Sequence, residues 1–145
     1  ILITFKPTET LSFTTELNMI RDDLAQATAG GVAQYVGYAL SDNWTLNGRA
    51  EIFRDDKAFF VGAFPTNLGP VQALGGYPAP IIAASRGTTY AAFTAGATWK
   101  PAISDKLSTL MIRPEIRYDQ ALTSNNPFNG RSNALTIAAD LVIGF

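Results

Sequence analysis

The segment 110–119, LMIRPEIRYD, alternates apolar and polar residues more strictly than any other part of the chain. Its apolar set is Leu110, Ile112, Pro114, Ile116 and Tyr118, and its charged set is Arg113, Glu115, Arg117 and Asp119. Successive side chains of a β-strand point to opposite faces, so this pattern predicts a strand with one apolar and one charged face. A helix would mix the two sets.

The same period of two recurs along the whole chain. It predicts further strands at 1–6, 11–20, 33–40, 44–53, 89–100 and 135–145. Two of these, 11–20 and 44–53, also carry charged residues on the polar side only, with Glu16 in the first and Arg49 and Glu51 in the second. In 33–40 the pattern leaves the two faces undecided.

The links between these strands differ in length and alternate along the chain. Short links rich in Pro, Asp, Asn and Ser are expected at 7–10, 41–43 and 101–106, and long ones at 21–31, 54–88 and 120–133. Transmembrane barrels have short periplasmic turns and long extracellular loops, which makes 54–88 a long extracellular loop. The pattern favours an all-β fold, a transmembrane antiparallel up-and-down β-barrel, formed by 1–145 as a single domain.

The strand number and the environment leave alternatives open. Seven strands is odd, whereas single-chain bacterial barrels have an even number, so we expect this chain to be the C-terminal part of a larger barrel. An eighth strand within 58–64 would instead close a small barrel, although many Pro and Gly residues follow it. A soluble β-sandwich also alternates, but it does not require its long loops on one side.

Composition excludes several functional classes. The chain has no histidine and no cysteine, which removes Cys/His nucleophile pairs, the usual Ser/His/Asp triad and nearly every zinc site. The net charge of -1 offers no polybasic surface for nucleic acid. No apolar run reaches the roughly 20 residues of a helical span. We therefore expect neither an enzyme, a cofactor nor a nucleic-acid partner.

Aromatic residues are expected at both rims of such a barrel. Transmembrane barrels carry aromatic girdles at the two membrane interfaces. Phe5, Trp44, Trp99 and Phe145 fall at the strand ends beside the short links, and Tyr118 falls near the opposite rim. These five residues form the predicted girdle.

Three short motifs resemble a known family. They are RPEIRYD at 113–119, RAEIF at 49–53 followed by Arg54, Asp55 and Asp56, and NPF at 126–128. Together with the last strand they resemble the OmpL-like family of β-barrel porins of Gram-negative outer membranes. The resemblance implies passive diffusion of small polar solutes or ions through a water-filled barrel in the bacterial outer membrane. A structural or adhesive barrel with a closed lumen is the alternative.

The expected partners follow from the same barrel interpretation. They are outer-membrane lipid and lipopolysaccharide, the missing N-terminal strands of the same barrel, and the outer-membrane assembly machinery, which would recognise the strand ending at Phe145. Asp22, Asp23, Asp55 and Asp56 lie near outer strand ends and are candidates for binding divalent cations or bridging lipopolysaccharide, although such pairs are commonly just solvated. No calcium-loop spacing is present.

The charged strand faces are predicted to line the pore. An Arg or Lys at the bilayer midplane costs about 2 to 4 kcal/mol, so these faces should meet water. The predicted pore-lining residues are Glu16, Arg49, Glu51, Thr94, Arg113, Glu115, Arg117 and Asp119. Mixed signs along each row indicate weak ion selectivity.

Two local expectations concern the middle of the barrel wall. Thr94, Gly96 and Thr98 form a small-residue groove between two charged rows, so we expect ion pairs that link Arg49 or Glu51 with the row 113–117. Pro114 removes a backbone donor from a strand interior, which predicts a bulge or a missing ladder bond. The loop 54–88 is too apolar for a solvated tether, and we expect it to fold against the barrel mouth, either constricting the pore, packing on the rim or binding a partner.

Overall fold

The computed structural model describes residues 1–23, 26–57, 60–61, 87–101, 108–123, 127–128 and 131–144. They form a single sheet of seven strands. The strands are β1 (Leu2–Phe5), β2 (Leu11–Asp22), β3 (Ala27–Ala39), β4 (Trp44–Asp55), β5 (Thr88–Trp99), β6 (Thr109–Ala121) and β7 (Asn133–Gly144).

Every strand pairs antiparallel with its neighbour in sequence, which confirms the all-β, up-and-down arrangement. The sheet is not closed, because β1 and β7 each pair with one neighbour among the described residues. Strands β2 to β7 have 12 or 13 residues. At about 3.3 Å per residue each is roughly 40 Å long, enough to cross a bilayer core of about 30 Å at the tilt usual in barrels.

The links define two ends of the sheet. The chain passes from β1 to β2, from β3 to β4 and from β5 to β6 at one end of the sheet, here called the turn end, and from β2 to β3, from β4 to β5 and from β6 to β7 at the other, the loop end. Among the described residues no helix is long and apolar enough to pass through a membrane.

The two faces of the sheet differ in chemistry, and the strand register assigns every residue to one of them. On one face, here called the outer face, large apolar side chains are exposed, including Met19 at 77%, Phe93 at 58% and Ile137 at 79%. The opposite inner face carries most of the charges. Within the strands only Arg21 and Arg54 place a charge on the outer face, and both are at the loop end.

The predicted long link 21–31 is wrong, because most of it belongs to strands. β2 continues to Asp22 and β3 begins at Ala27, which leaves a short turn with Gln26 at a positive φ of 46°. The sequence reads as a loop because of Gly30 and Gly31. Gly31 is nevertheless a strand residue, and a Cβ there would lie 2.9 Å from both Cα and Cδ2 of Phe53. The glycine leaves room for the neighbouring ring on β4.

Pro114 interrupts the ladder between β5 and β6, as predicted. Pairing of β5 with β6 stops at Gly96 and Glu115 and resumes at Trp99 and Ile112 in the same register. The defect is therefore a local gap without a bulge. On its other side Pro114 keeps its place opposite Ala139 of β7.

Several predictions lie outside the described residues. They concern Phe145, most of the loop 54–88, residues 102–106 of the turn 101–106, and the eighth strand considered within 58–64, of which only residues 60–61 are described.

Candidate functional site

The charged rows of β4 and β6 lie on the inner face with β5 between them. The register aligns Arg49, Thr94 and Arg117 in one row across these strands. The next row towards the loop end aligns Glu51, Ala92 and Asp119. Because β5 contributes only small side chains here, the long side chains on either side can meet above it.

A central network of four charged residues spans this groove. Arg49 Nη2 lies 2.9 Å from Glu51 Oε1, and Arg117 Nη2 lies 3.4 Å from Glu51 Oε2. Arg117 also binds Asp119 with its Nε and Nη2 atoms, at 2.7 Å for the shorter ion pair. The predicted ion pair across β5 is thus confirmed, with Glu51 shared by both arginines. The carboxylates of Glu51 and Asp119 are only 13% and 17% exposed.

The network continues over β3 to β2 through an aromatic side chain. The Arg49 guanidinium lies over the Tyr35 ring, 5.2 Å from its centroid. Tyr35 Oη donates to Glu16 Oε2 at 2.6 Å, and Asn18 Nδ2 donates to Glu16 Oε1 at 3.2 Å. Tyr35 therefore settles the faces of β3, which the sequence pattern left undecided, by lying on the inner side.

A second ion pair lies nearer the turn end. Arg113 and Asp140 are directly opposite in the β6–β7 ladder, and the guanidinium binds the carboxylate through two hydrogen bonds of 2.7 and 2.5 Å. This pair is about half exposed. Glu115, between the pair and the central network, is exposed, and it is flanked by Gly96 on β5 and Ala138 on β7.

Apolar side chains pack together on the inner face near the loop end. Tyr90 and Phe128 are buried with ring centroids 6.1 Å apart, and Phe53 and Val61 pack against them. We call these four residues the aromatic cluster. Val61 and Phe128 belong to the links after β4 and β6, so both links begin or return over the inner face.

A buried carboxylate sets the path of the first of these links. Asp55 has no exposed surface, and its Oδ2 accepts the backbone N–H groups of Phe60 at 2.7 Å and Val61 at 2.8 Å. Its Oδ1 accepts the N–H of Lys57 at 3.3 Å. These hydrogen bonds turn the chain inward at the end of β4. The first residues after β4 thus lie against the sheet, and most of the link 54–88 lies outside the described residues.

The remaining aspartates proposed as cation ligands also have protein contacts. Asp56 accepts the Thr28 N–H at 2.8 Å, and Asp23 pairs with Arg21 at 2.7 Å. The described ranges hold no group of three or more His, Cys, Asp or Glu side chains placed to bind a metal ion.

Two grooves follow the inner face. One, of about 900 Å³, lies at the loop end and is lined by the aromatic cluster together with Glu51, Arg117 and Asp119. The other, of about 460 Å³, extends towards the turn end past Thr94, Thr98, Arg113 and Glu115. The central network separates an apolar region from a polar one.

All eight residues predicted to line a pore lie on this inner face: Glu16, Arg49, Glu51, Thr94, Arg113, Glu115, Arg117 and Asp119. The described girdle residues lie on the outer face. Phe5, Trp44 and Trp99 are at the turn end, the two tryptophans stacked at 5.6 Å, and Tyr118 is near the loop end.

Sequence reasoning missed four contributors to the inner face. They are Tyr35, Asp140, the buried Asp55 cap and the aromatic cluster. One signal for the cluster was present, because Phe53 follows Arg49 and Glu51 on the polar side of its strand, where an aromatic residue breaks the pattern.

Comparison with known families assigns this two-faced sheet. The model of the family described as "Putative beta-barrel porin-2, OmpL-like" matches residues 1–145. The chain belongs to this OmpL-like β-barrel porin family. No curated protein and no solved structure matches it. The family assignment confirms the resemblance read from the motifs at 113–119 and 49–53.

Proposed function

We propose that this OmpL-like protein is an outer-membrane porin through which small polar solutes and ions diffuse passively. The observation that carries the proposal is the division of the sheet into an exposed apolar outer face and a charged inner face. A soluble sheet buries its apolar face in a core, whereas here the described core is small and lies on the inner side at the loop end. An apolar surface of this extent is stable against lipid.

The aromatic side chains at the turn end also support an outer face that contacts lipid. Trp44 and Trp99 stack on the outer face where the strands end, a position typical of the membrane interface. At the loop end the outer-face Arg21 and Arg54 can reach the headgroup region, where an arginine costs little. We assign the loop end to the exterior, where these residues meet lipopolysaccharide.

Closure of the pore requires more strands than the sheet contains. Among the described residues β1 and β7 each have one edge that pairs with no strand, and lipid does not tolerate unpaired backbone groups. We propose that further strands of the same protein, N-terminal to β1, complete the barrel, and that the assembly machinery recognises the strand that leads to Phe145.

The test is the ion conductance of the full-length protein in a planar lipid bilayer. We expect stepwise, ohmic current at both voltage signs, and liposome-swelling rates that fall as the size of a neutral sugar rises. A heat-unfolded sample is the control. A folded sample that gives neither current nor swelling would overturn the proposal.

That negative result would favour the alternative, a structural or adhesive barrel with a closed lumen. The aromatic cluster is the observation that supports this alternative, because Val61 and Phe128 bring link residues over the inner face. Cell fractionation tests the location independently, and we expect the protein in the outer-membrane fraction.

A further inference from the structure

The charges on the inner face of the sheet, which forms the wall of the proposed pore, do not add up to zero. Between the two rims it carries three arginines, Arg49, Arg113 and Arg117, against five carboxylates. We propose that this wall prefers small cations to anions, and that Glu115, assisted by Glu16, determines the preference. The inference rests on the proposed pore and specifies which solutes it favours.

The arginines are all engaged by carboxylates. Arg113 is bound by both oxygens of Asp140, and the central network pairs two arginines with two carboxylates. Seen from the lumen, each group is close to neutral, because paired charges of opposite sign cancel beyond a few ångströms. These pairs therefore contribute little to the potential along the wall.

Two of the five carboxylates form no ion pair in the described part of the chain, although each lies within the electrostatic range of an arginine. Glu16 is held by the neutral donors Tyr35 and Asn18, and Arg49 attracts it without forming an ion pair. Glu115 makes no ion pair with any described residue. These two side chains give the wall its excess negative charge.

Of these two carboxylates, Glu115 should have the larger effect on passing ions because its side chain is exposed. Its neighbours across both strands are Gly96 and Ala138, neither of which can cover the carboxylate. A Cβ at Gly96 would lie 3.2 Å from the Glu115 Cβ, so the glycine also makes room for this side chain. The carboxylate lies along the polar groove that leads to the turn end.

The magnitude expected from one such charge is measurable. In water, a unit charge about 7 Å away changes the local concentration of a monovalent ion by roughly threefold at low salt. The effect should fade as salt rises, since the screening length falls from about 10 Å at 0.1 M to about 3 Å at 1 M.

The first test measures the electrostatic potential near Glu115 and does not require the protein to conduct ions. Residues 1–145 contain no cysteine, so in a full-length protein with any other cysteine replaced by serine Ala138→Cys places a single thiol beside Glu115. We compare its rates of modification by cationic trimethylammonium-ethyl and anionic sulfonato-ethyl methanethiosulfonate in lipid vesicles. Relative to a small-molecule thiol, the cationic reagent should be favoured, and adding Glu115→Gln should lower that preference by about tenfold at low salt, the square of the threefold effect.

Two further variants act as controls. Glu115→Asp keeps the charge and should retain the preference. Asp23→Asn removes an exposed carboxylate at the loop end, away from the wall, and should leave the preference unchanged. A rate ratio that Glu115→Gln does not alter would overturn the proposal.

The second test measures reversal potentials of the same proteins in a KCl gradient. We expect K⁺ over Cl⁻ preference, reduced by Glu115→Gln by about twofold to threefold, less than the tenfold expected at low salt because the KCl screens the charge, and reduced further by adding Glu16→Gln. An unchanged reversal potential in an open channel would contradict the inference. Absence of current with an intact reagent preference would instead reject the porin and leave the cation preference standing.

Discussion

The two ends of the inner face have the same alternating pattern but different environments. At the loop end Asp55 has no exposed surface and Tyr90 is 5% exposed, whereas Arg113 and Asp140 near the turn end are about half exposed. The difference comes from the links, because Val61 and Phe128 of two loop-end links pack over the inner face, whereas the described turn-end residues contribute nothing to that cluster. Strand alternation therefore decides which face a residue occupies, and the links decide whether water reaches it.

The largest expected contrast is between Asp55→Ala and Asp140→Ala. Asp55→Ala removes a buried acceptor from three backbone N–H groups, and charge-assisted bonds contribute about 1.5 to 3 kcal/mol each when lost from a buried site. Because alanine also avoids the cost of burying a carboxylate, the net loss should be smaller than the sum of the three bonds, about 3 kcal/mol in the free energy of unfolding, measured by urea titration in vesicles. Asp140→Ala breaks an exposed pair and should cost under about 1 kcal/mol. Equal losses would show that burial does not separate the two ends.

A second contrast compares the two arginines of β6. Arg117→Met leaves the poorly exposed Glu51 and Asp119 without their shared partner, which should cost about 2 kcal/mol because half-buried charges lose compensation. Arg113→Met leaves a carboxylate that water can solvate and should cost under about 1 kcal/mol. The same urea titration measures both. A larger loss for Arg113→Met would reverse our ranking of the two ion-pair groups.

The smallest expected contrast concerns two glycines. Gly31→Ala places a methyl group against Phe53 and the backbone of Ile52, so β3 and β4 must move apart, at a cost of about 1 to 2 kcal/mol. Gly48→Ala meets a single side-chain atom, Cγ1 of Val36 on the exposed outer face, which can shift without separating the strands, and we expect a smaller loss of about 0.5 kcal/mol. If both variants unfold at the same urea concentration, Gly31 does not serve to accommodate Phe53.

The fold was predictable because charge and apolarity alternate in strands such as 110–119. That contrast disappears at the start of β3, where residues 27–33 have only alanine and glycine on the inner face and Thr28, Gly30 and Val32 on the outer face. Its beginning was therefore read as a loop. Only the register with β2 and β4 assigns its faces, and register depends on turn geometry that short sequence patterns do not specify.

The charged part of the candidate site was predictable for the same reason, and its pairing only in part. The ion pair between Glu51 and Arg117 followed from small residues on the intervening strand. Asp140 was visible on the polar side of its strand, but its partner depends on the register of β6 with β7. Phe128 lies in a link, where no periodicity indicates which residues fold inward.

The most direct test of the account compares two adjacent positions of β5 in lipid vesicles. Phe93 is on the outer face and Thr94 on the inner face, and a spin label can be attached to Phe93→Cys or Thr94→Cys in a chain without other cysteines. The electron paramagnetic resonance signal of the label at 93 should be broadened mainly by oxygen dissolved in lipid, and that of the label at 94 mainly by a water-soluble nickel complex. Equal access to both reagents, or the reverse order, would contradict a sheet with lipid on one side and water on the other.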